Sequence, residues 1–379
     1  MTERKQIFKR VGAALAVGTF LNILGQIGVT ILLQMKPDWG QSTTLVLILF
    51  TLPTWIIGYP TMAWILAKLP ATKGEKRQMP IQHMISCIFL IFAAMYVFNW
   101  LGGILVSLFR MLLGKPAVNA VAEVILATNY PVLFFIMVIG APIIEELIYR
   151  KLLIDKTLAC GEKITVLTSA LIFALVHGNF QQSLYTFFMG LLLAFIYVKT
   201  ANILYPILLH MIINFVGSFL AKYMIDQLPP EVLQGSEEAI MAALSTHGES
   251  FLPYFIFLGI VFLFTFTGVV IYFKNRKNFK LEGEKEEGEG IGSRLKVILG
   301  NPGMILFLLY YGYTIVKLLL VQVGLKAGTF QKIREFLSID RDICSTRIVT
   351  EDFALLELER EIARQNTSDS KIFPCRVWP

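Results

Sequence analysis

Apolar segments long enough to cross a bilayer recur along most of this chain, and they leave few folds open. Segments 11–34, 43–67, 84–109, 131–153, 164–180, 183–199, 203–221 and 252–273 are dominated by aliphatic and aromatic residues. A spanning helix needs ~20 apolar residues. Inside lipid such a segment must satisfy its own backbone groups. The expected fold is all-α: a polytopic membrane helical bundle of about eight transmembrane helices. Of the 379 residues, 55% are hydrophobic and only 16% charged, outside the norm for soluble domains.

Segment 303–325, interrupted by Lys317, is a ninth candidate. It reads either as a span or as a re-entrant or interfacial segment, because Lys326, Lys332 and Arg334 follow it closely. Segments 164–180 and 183–199 are short and separated only by 178–182, which predicts a tight helical hairpin. The expected organisation is N-terminal transmembrane helices over 1–80, a membrane core over 81–221 and a non-cytoplasmic loop over 222–250. A further helix over 251–273, a polar linker over 274–302, the apolar helix at 303–326 and a polar tail over 327–379 complete it. Residues 281–294 lack apolar periodicity and are expected to be disordered. Within the tail, 351–364 has helical character.

Charge placement orients the bundle. Arg4, Lys5, Lys9 and Arg10 precede an apolar run too long for a signal-peptide core, so the first span is expected to stay uncleaved. With the N-terminus in the cytoplasm, the cytoplasmic connections carry Lys68, Lys73, Lys76 and Arg77, then Lys151, Lys156 and Lys163, then Lys199, then Lys274, Arg276, Lys277 and Lys280. The other side carries Lys36, Arg110, Lys115 and Lys222, which satisfies the positive-inside rule. That bias accounts for the net charge of +7; no nucleic-acid-binding motif is present. The four cysteines form no CxxC pair, so neither a disulfide framework nor a cysteine zinc site is expected.

Against this apolar background three polar clusters stand out. Charges at membrane depth are costly and mark function. The first cluster is Glu145 and Glu146, followed by Arg150. Adjacent helical residues point about 100° apart, whereas residues four apart share a face. Arg150 is therefore expected to pair with Glu146, leaving Glu145 free for base chemistry. The second cluster is His177, closing Phe173-x-x-x-His177; the third is His210 with Asn214, again four apart. Taken singly, each has a structural reading: an ion pair at a helix end, a satisfied histidine, interhelical glue. Taken together they meet in depth. At ~1.5 Å per residue, Glu145 lies roughly 12–15 Å, His177 roughly 20 Å, and His210 with Asn214 roughly 10–16 Å from the cytoplasmic surface. Amide hydrolysis needs a water activated by a base, and donors for the developing oxyanion. Glu145 with His177 fits the first role; His210 with Asn214 fits the second. Glu, His and His also form a plausible zinc set, although no HExxH is present.

In order, Glu145-Glu146-x-x-x-Arg150, Phe173-x-x-x-His177 and His210-x-x-x-Asn214 resemble the motifs of the CAAX-protease and bacteriocin-processing (CPBP) family of intramembrane proteases. The resemblance covers about residues 80–220. It implies an intramembrane endopeptidase acting on a membrane-associated peptide or protein, similar to the type II CAAX prenyl endopeptidases. It also implies a glutamate mechanism without a cofactor, zinc being the alternative. By the same carry-over Glu145 and His177 activate water, His210 and Asn214 form the oxyanion hole, and Glu146 and Arg150 support the site. The partners implied are the lipid bilayer and a membrane-associated substrate. The expected location is the bacterial cytoplasmic membrane. Two other readings of the same polar core stay open: a non-catalytic membrane protein that binds a peptide or confers bacteriocin immunity, and an ion-coupled transporter. The oligomeric state is left open.

Overall fold

The computed structural model describes residues 3–113, 120–229, 232, 237–282 and 296–322. Most of the 281–294 linker, the 327–379 tail with its 351–364 segment, and part of the 222–250 loop lie outside them. The described residues are helical, with no strand among them. Eight of their helices are long and apolar enough to cross a membrane. These are α1 (Glu3–Met35), α2 (Thr43–Ala67), α3 (Ile81–Leu113), α4 (Tyr130–Cys160), α6 (Phe180–Thr200), α7 (Leu204–Asp226), α8 (Gly248–Asn278) and α9 (Pro302–Gln322). Between α4 and α6 lies a shorter helix, α5 (Glu162–Leu175).

The count of eight agrees with the sequence, but its membership differs. The segment expected at 164–180 is α5, and its 14 residues reach only about 21 Å, short of a ~30 Å hydrocarbon core. Gly178, at φ +64, turns the chain left-handed just beyond the helix, and only glycine adopts that conformation without strain. Asn179 then caps α6, its side-chain oxygen accepting from Gln182 N at 3.1 Å. The apolar count had run through Val176 and Phe180 and missed this stop. The 303–325 segment takes the eighth place as α9, a continuous 21-residue helix in which Lys317 causes no break.

One end of the bundle collects the basic connections. Arg10 donates to Lys68 O, Lys156 Nζ to Leu69 O, and Arg77 N to Thr200 O. Lys199 pairs with Glu162 at 2.7 Å, so α5 and α6 begin and end at the same face. Their turn, at 176–179, therefore lies inside the bundle, which is the expected hairpin. At the other end Asn129 N donates to Thr44 Oγ1, Tyr130 OH to Asp226, and Lys222 Nζ to Leu126 O.

Helix α9 runs parallel to α1 and touches it closely. A Cβ on Gly303 would lie 2.4 Å from the backbone carbonyl atoms of Gly12, so these two glycines let the backbones meet. Gly303→Val is expected to push α9 away and destabilise the protein by about 1–3 kcal/mol, the usual cost of overpacking. Thermal unfolding in detergent checks this.

Candidate active site

Proline at 142 shapes the helix that carries the carboxylates. In α4, residues 133–140 form a wide π-type turn, in which Ala141 N donates to Ile136 O, five residues back. In that register Met137 O would accept from residue 142, but a proline has no N–H. Asn214 of α7 supplies the missing donor: its Nδ2 lies 2.8 Å from Met137 O. A second wide turn, at 147–152, follows Glu146, and a third, at 215–220, follows Asn214. Such turns occur often at functional sites because they rotate the side chains beyond them.

Glu146 is the centre of the cluster. Its side chain and that of Arg150 are both completely buried, with Arg150 Nε 3.0 Å from Glu146 Oε2. This is the pair the spacing predicts, and it lies within the bundle rather than at a helix end. On its other side Glu146 Oε1 lies 2.9 Å from His210 Nδ1. A carboxylate accepts and cannot donate, so Nδ1 carries a proton, and Nε2 is the nitrogen left for chemistry. His210 Nε2 faces Glu145 Oε2 at 3.9 Å. Glu145 retains some exposure, whereas Glu146 has none.

Phe173 joins the second cluster to the first. It is fully buried, and the Arg150 guanidinium carbon lies 4.2 Å from its ring centroid. The guanidinium nitrogens are buried and make no hydrogen bond among the described residues, so the ion pair and the ring face hold this cation. The same ring meets His177 and His210 edge-on, with centroids 5.0 and 5.7 Å apart. His177 Nδ1 lies 2.7 Å from Phe173 O. A carbonyl only accepts, so here too Nδ1 is the protonated nitrogen and Nε2 a bare acceptor.

Three of the six residues singled out in the sequence thus bond directly, Glu146, Arg150 and His210, and Glu145 faces His210 at 3.9 Å. His177 reaches them through Phe173. Asn214 lies one turn beyond His210 and is bonded to the helix that bears Glu145. The sequence reading did not place Phe173 in the site, although its position four residues before His177 marks it. Ser169 supports from behind, donating to Tyr149 O at 2.8 Å and tying α5 to α4. Among the described residues no three His, Cys, Asp or Glu side chains are grouped to hold a metal ion. Asn214→Ala would orphan the Met137 carbonyl at a cost of about 1–3 kcal/mol. The thermal midpoint in detergent is expected to fall accordingly.

Residues 127–216 match the family model described as type II CAAX prenyl endopeptidase Rce1-like, and all six site residues fall inside that stretch. Over this core the chain is similar to the CAAX proteases. The membrane-embedded CAAX protease MroQ of Staphylococcus aureus is 29% identical over 163 residues, 38% of this chain and 64% of that protein. A Bacillus subtilis protein named as a membrane peptidase, YdiL, is 31% identical over 106 residues, 27% of this chain and 42% of that protein. The chain thus spans less than two thirds of the length of either relative. No solved structure matches it at a significant level. The CAAX-protease likeness lies in the core; α1, α2, α3, α8 and α9 fall outside the family match.

Proposed function

We propose that the protein is an intramembrane endopeptidase that cuts a membrane-associated peptide, lipidated or unmodified, with a water activated by Glu145. The observation that carries this reading is the 3.9 Å separation of Glu145 Oε2 from His210 Nε2. It is too wide for a direct hydrogen bond and suits one small group shared between them, such as a water about 2.8 Å from each.

In this mechanism Glu145 takes a proton from water as the oxygen attacks the scissile carbonyl carbon. The negative charge moves to the carbonyl oxygen, and the Glu145 proton is then passed to the departing amine. His177, fixed with Nε2 as an acceptor, helps hold the attacking water. His210 takes part as an imidazolium, Nδ1–H bonded to Glu146 and Nε2–H turned to the carbonyl oxygen, and polarises the carbonyl together with the second N–H of Asn214, the first N–H being bonded to Met137 O. Glu146 holds the Nδ1–H and the ring angle of His210, as outer carboxylates do for functional histidines. Arg150 balances the Glu146 charge. None of these roles calls for a metal ion, whereas a zinc mechanism would recruit the same glutamate and histidines.

The test is to incubate the purified protein in detergent with matched prenylated and unmodified peptides, with and without a chelator, and to read products by mass spectrometry. Chelator-resistant cleavage is expected. Loss of cleavage on chelation, restored by zinc, would favour the metal mechanism. Absence of cleavage with both peptide classes would contradict the enzymatic reading and favour a peptide-binding or immunity role.

A further inference from the structure

Beside His177 the structure holds a cavity of about 270 Å³, walled mainly by α1, α2, α9 and the α5–α6 turn. Three of these four walls lie outside the family-matched stretch. Its lining has an unusual chemistry for the interior of a membrane bundle. Among the described residues no Asp, Glu, Lys or Arg lines it, yet the amides of Asn22, Gln26 and Gln182 and the hydroxyls of Thr19 and Thr314 do.

Several of these groups have bonding capacity to spare. Thr19 is 4% exposed, and its hydroxyl has no hydrogen-bond partner among the described residues. Asn22 Oδ1 accepts from Thr54 Oγ1 at 3.1 Å, which turns its Nδ2 donors to other use. Gln182 Nε2 donates to Tyr185 OH, leaving its oxygen. The Gln26 amide makes no side-chain hydrogen bond within the described protein. An unmet polar group inside a membrane protein is costly, and the buried Thr19 hydroxyl, ringed by part-exposed amides with donors and acceptors to spare, points to a ligand that supplies the partners.

We propose that this chamber is a substrate subsite that holds a short extended stretch of peptide with uncharged side chains next to the scissile bond. The proposal rests on the protease reading above and adds a specificity to it. An extended main chain offers N–H and C=O groups in alternation, and the chamber supplies both acceptors and donors. Its described lining supplies no countercharge, so a lysine or aspartate entering it would be desolvated without a partner. The flanking helices α1, α2 and α9 are then selectivity elements added to a catalytic core.

The test uses full-length protein in detergent carrying Glu145→Gln, so that peptides stay intact. Dissociation constants are measured by fluorescence anisotropy for a neutral peptide and for peptides with lysine at successive positions. With the native chamber, lysine at one or more positions is expected to weaken binding about tenfold or more, roughly 1.4 kcal/mol. Adding Gln26→Glu should narrow that gap about tenfold by supplying the countercharge. Asn22→Asp makes the same reading from a second position, should the first variant not fold. Equal binding of neutral and lysine peptides, or a gap that neither variant alters, would overturn the proposal. Cleavage by wild type is assayed in parallel. Selective binding without any cleavage would refute the protease reading and leave the subsite standing.

Discussion

His210→Ala is expected to lower turnover by roughly 10²–10³-fold, the usual cost of losing an oxyanion donor. The residue stands between the two carboxylates, with Nδ1 2.9 Å from Glu146 and Nε2 3.9 Å from Glu145. Its removal takes away the imidazole that faces Glu145 and leaves Glu146 with Arg150 as its remaining partner. The effect should fall on kcat far more than on KM, because the interaction is made with charge that develops in the transition state. Steady-state kinetics on a cleaved peptide measure the split. A KM effect with unchanged kcat would instead make His210 a substrate-binding residue.

Arg150→Ala is expected to destabilise the protein by roughly 3–5 kcal/mol, the cost of leaving one partner of a buried ion pair alone. Both side chains of the pair are fully excluded from solvent, so water cannot compensate Glu146. The variant also loses the contact with the Phe173 ring. Arg150→Lys keeps the charge but not the planar guanidinium that lies over the ring, and should recover only part of the loss. Thermal unfolding of the three proteins in detergent orders them wild type, lysine, alanine. Equal stability of wild type and Arg150→Ala would show that the pair does not hold the site together.

Much of this architecture is legible in the sequence, because the signal for membrane helices is strong. Charged and imidazole side chains in apolar segments are rare enough to single out the three clusters unaided. The Glu146–Arg150 pair follows from helical spacing alone. The α5–α6 hairpin was visible in the brevity of 164–180 and 183–199. Its short first arm was not, because that depends on Gly178 adopting positive φ just beyond the last helical residue. The partner of His210 was hidden for a related reason. Glu145 and Glu146 are adjacent and both reach His210 of α7, Glu146 at 2.9 Å and Glu145 at 3.9 Å, on a stretch flanked by wide turns on either side. Periodicity counted at 3.6 residues per turn does not register such turns. The Asn214–Met137 bond is a second case: Pro142 frees a carbonyl, but only the folded bundle shows which donor takes it up. The packing of α9 on α1 depends on Gly12 and Gly303 meeting across nearly 300 residues of chain, beyond the reach of any local pattern.

Water activation by Glu145 is the central chemical claim, and Glu145→Gln tests it most directly. Glutamine keeps the size and hydrogen-bonding reach of the side chain and removes the base. Initial rates of peptide cleavage are compared for wild type and this variant, both purified in detergent and matched for thermal midpoint. A fall of roughly 10²–10⁴-fold, the range for loss of a general base, is the expected result. Cleavage by Glu145→Gln at the wild-type rate would contradict it.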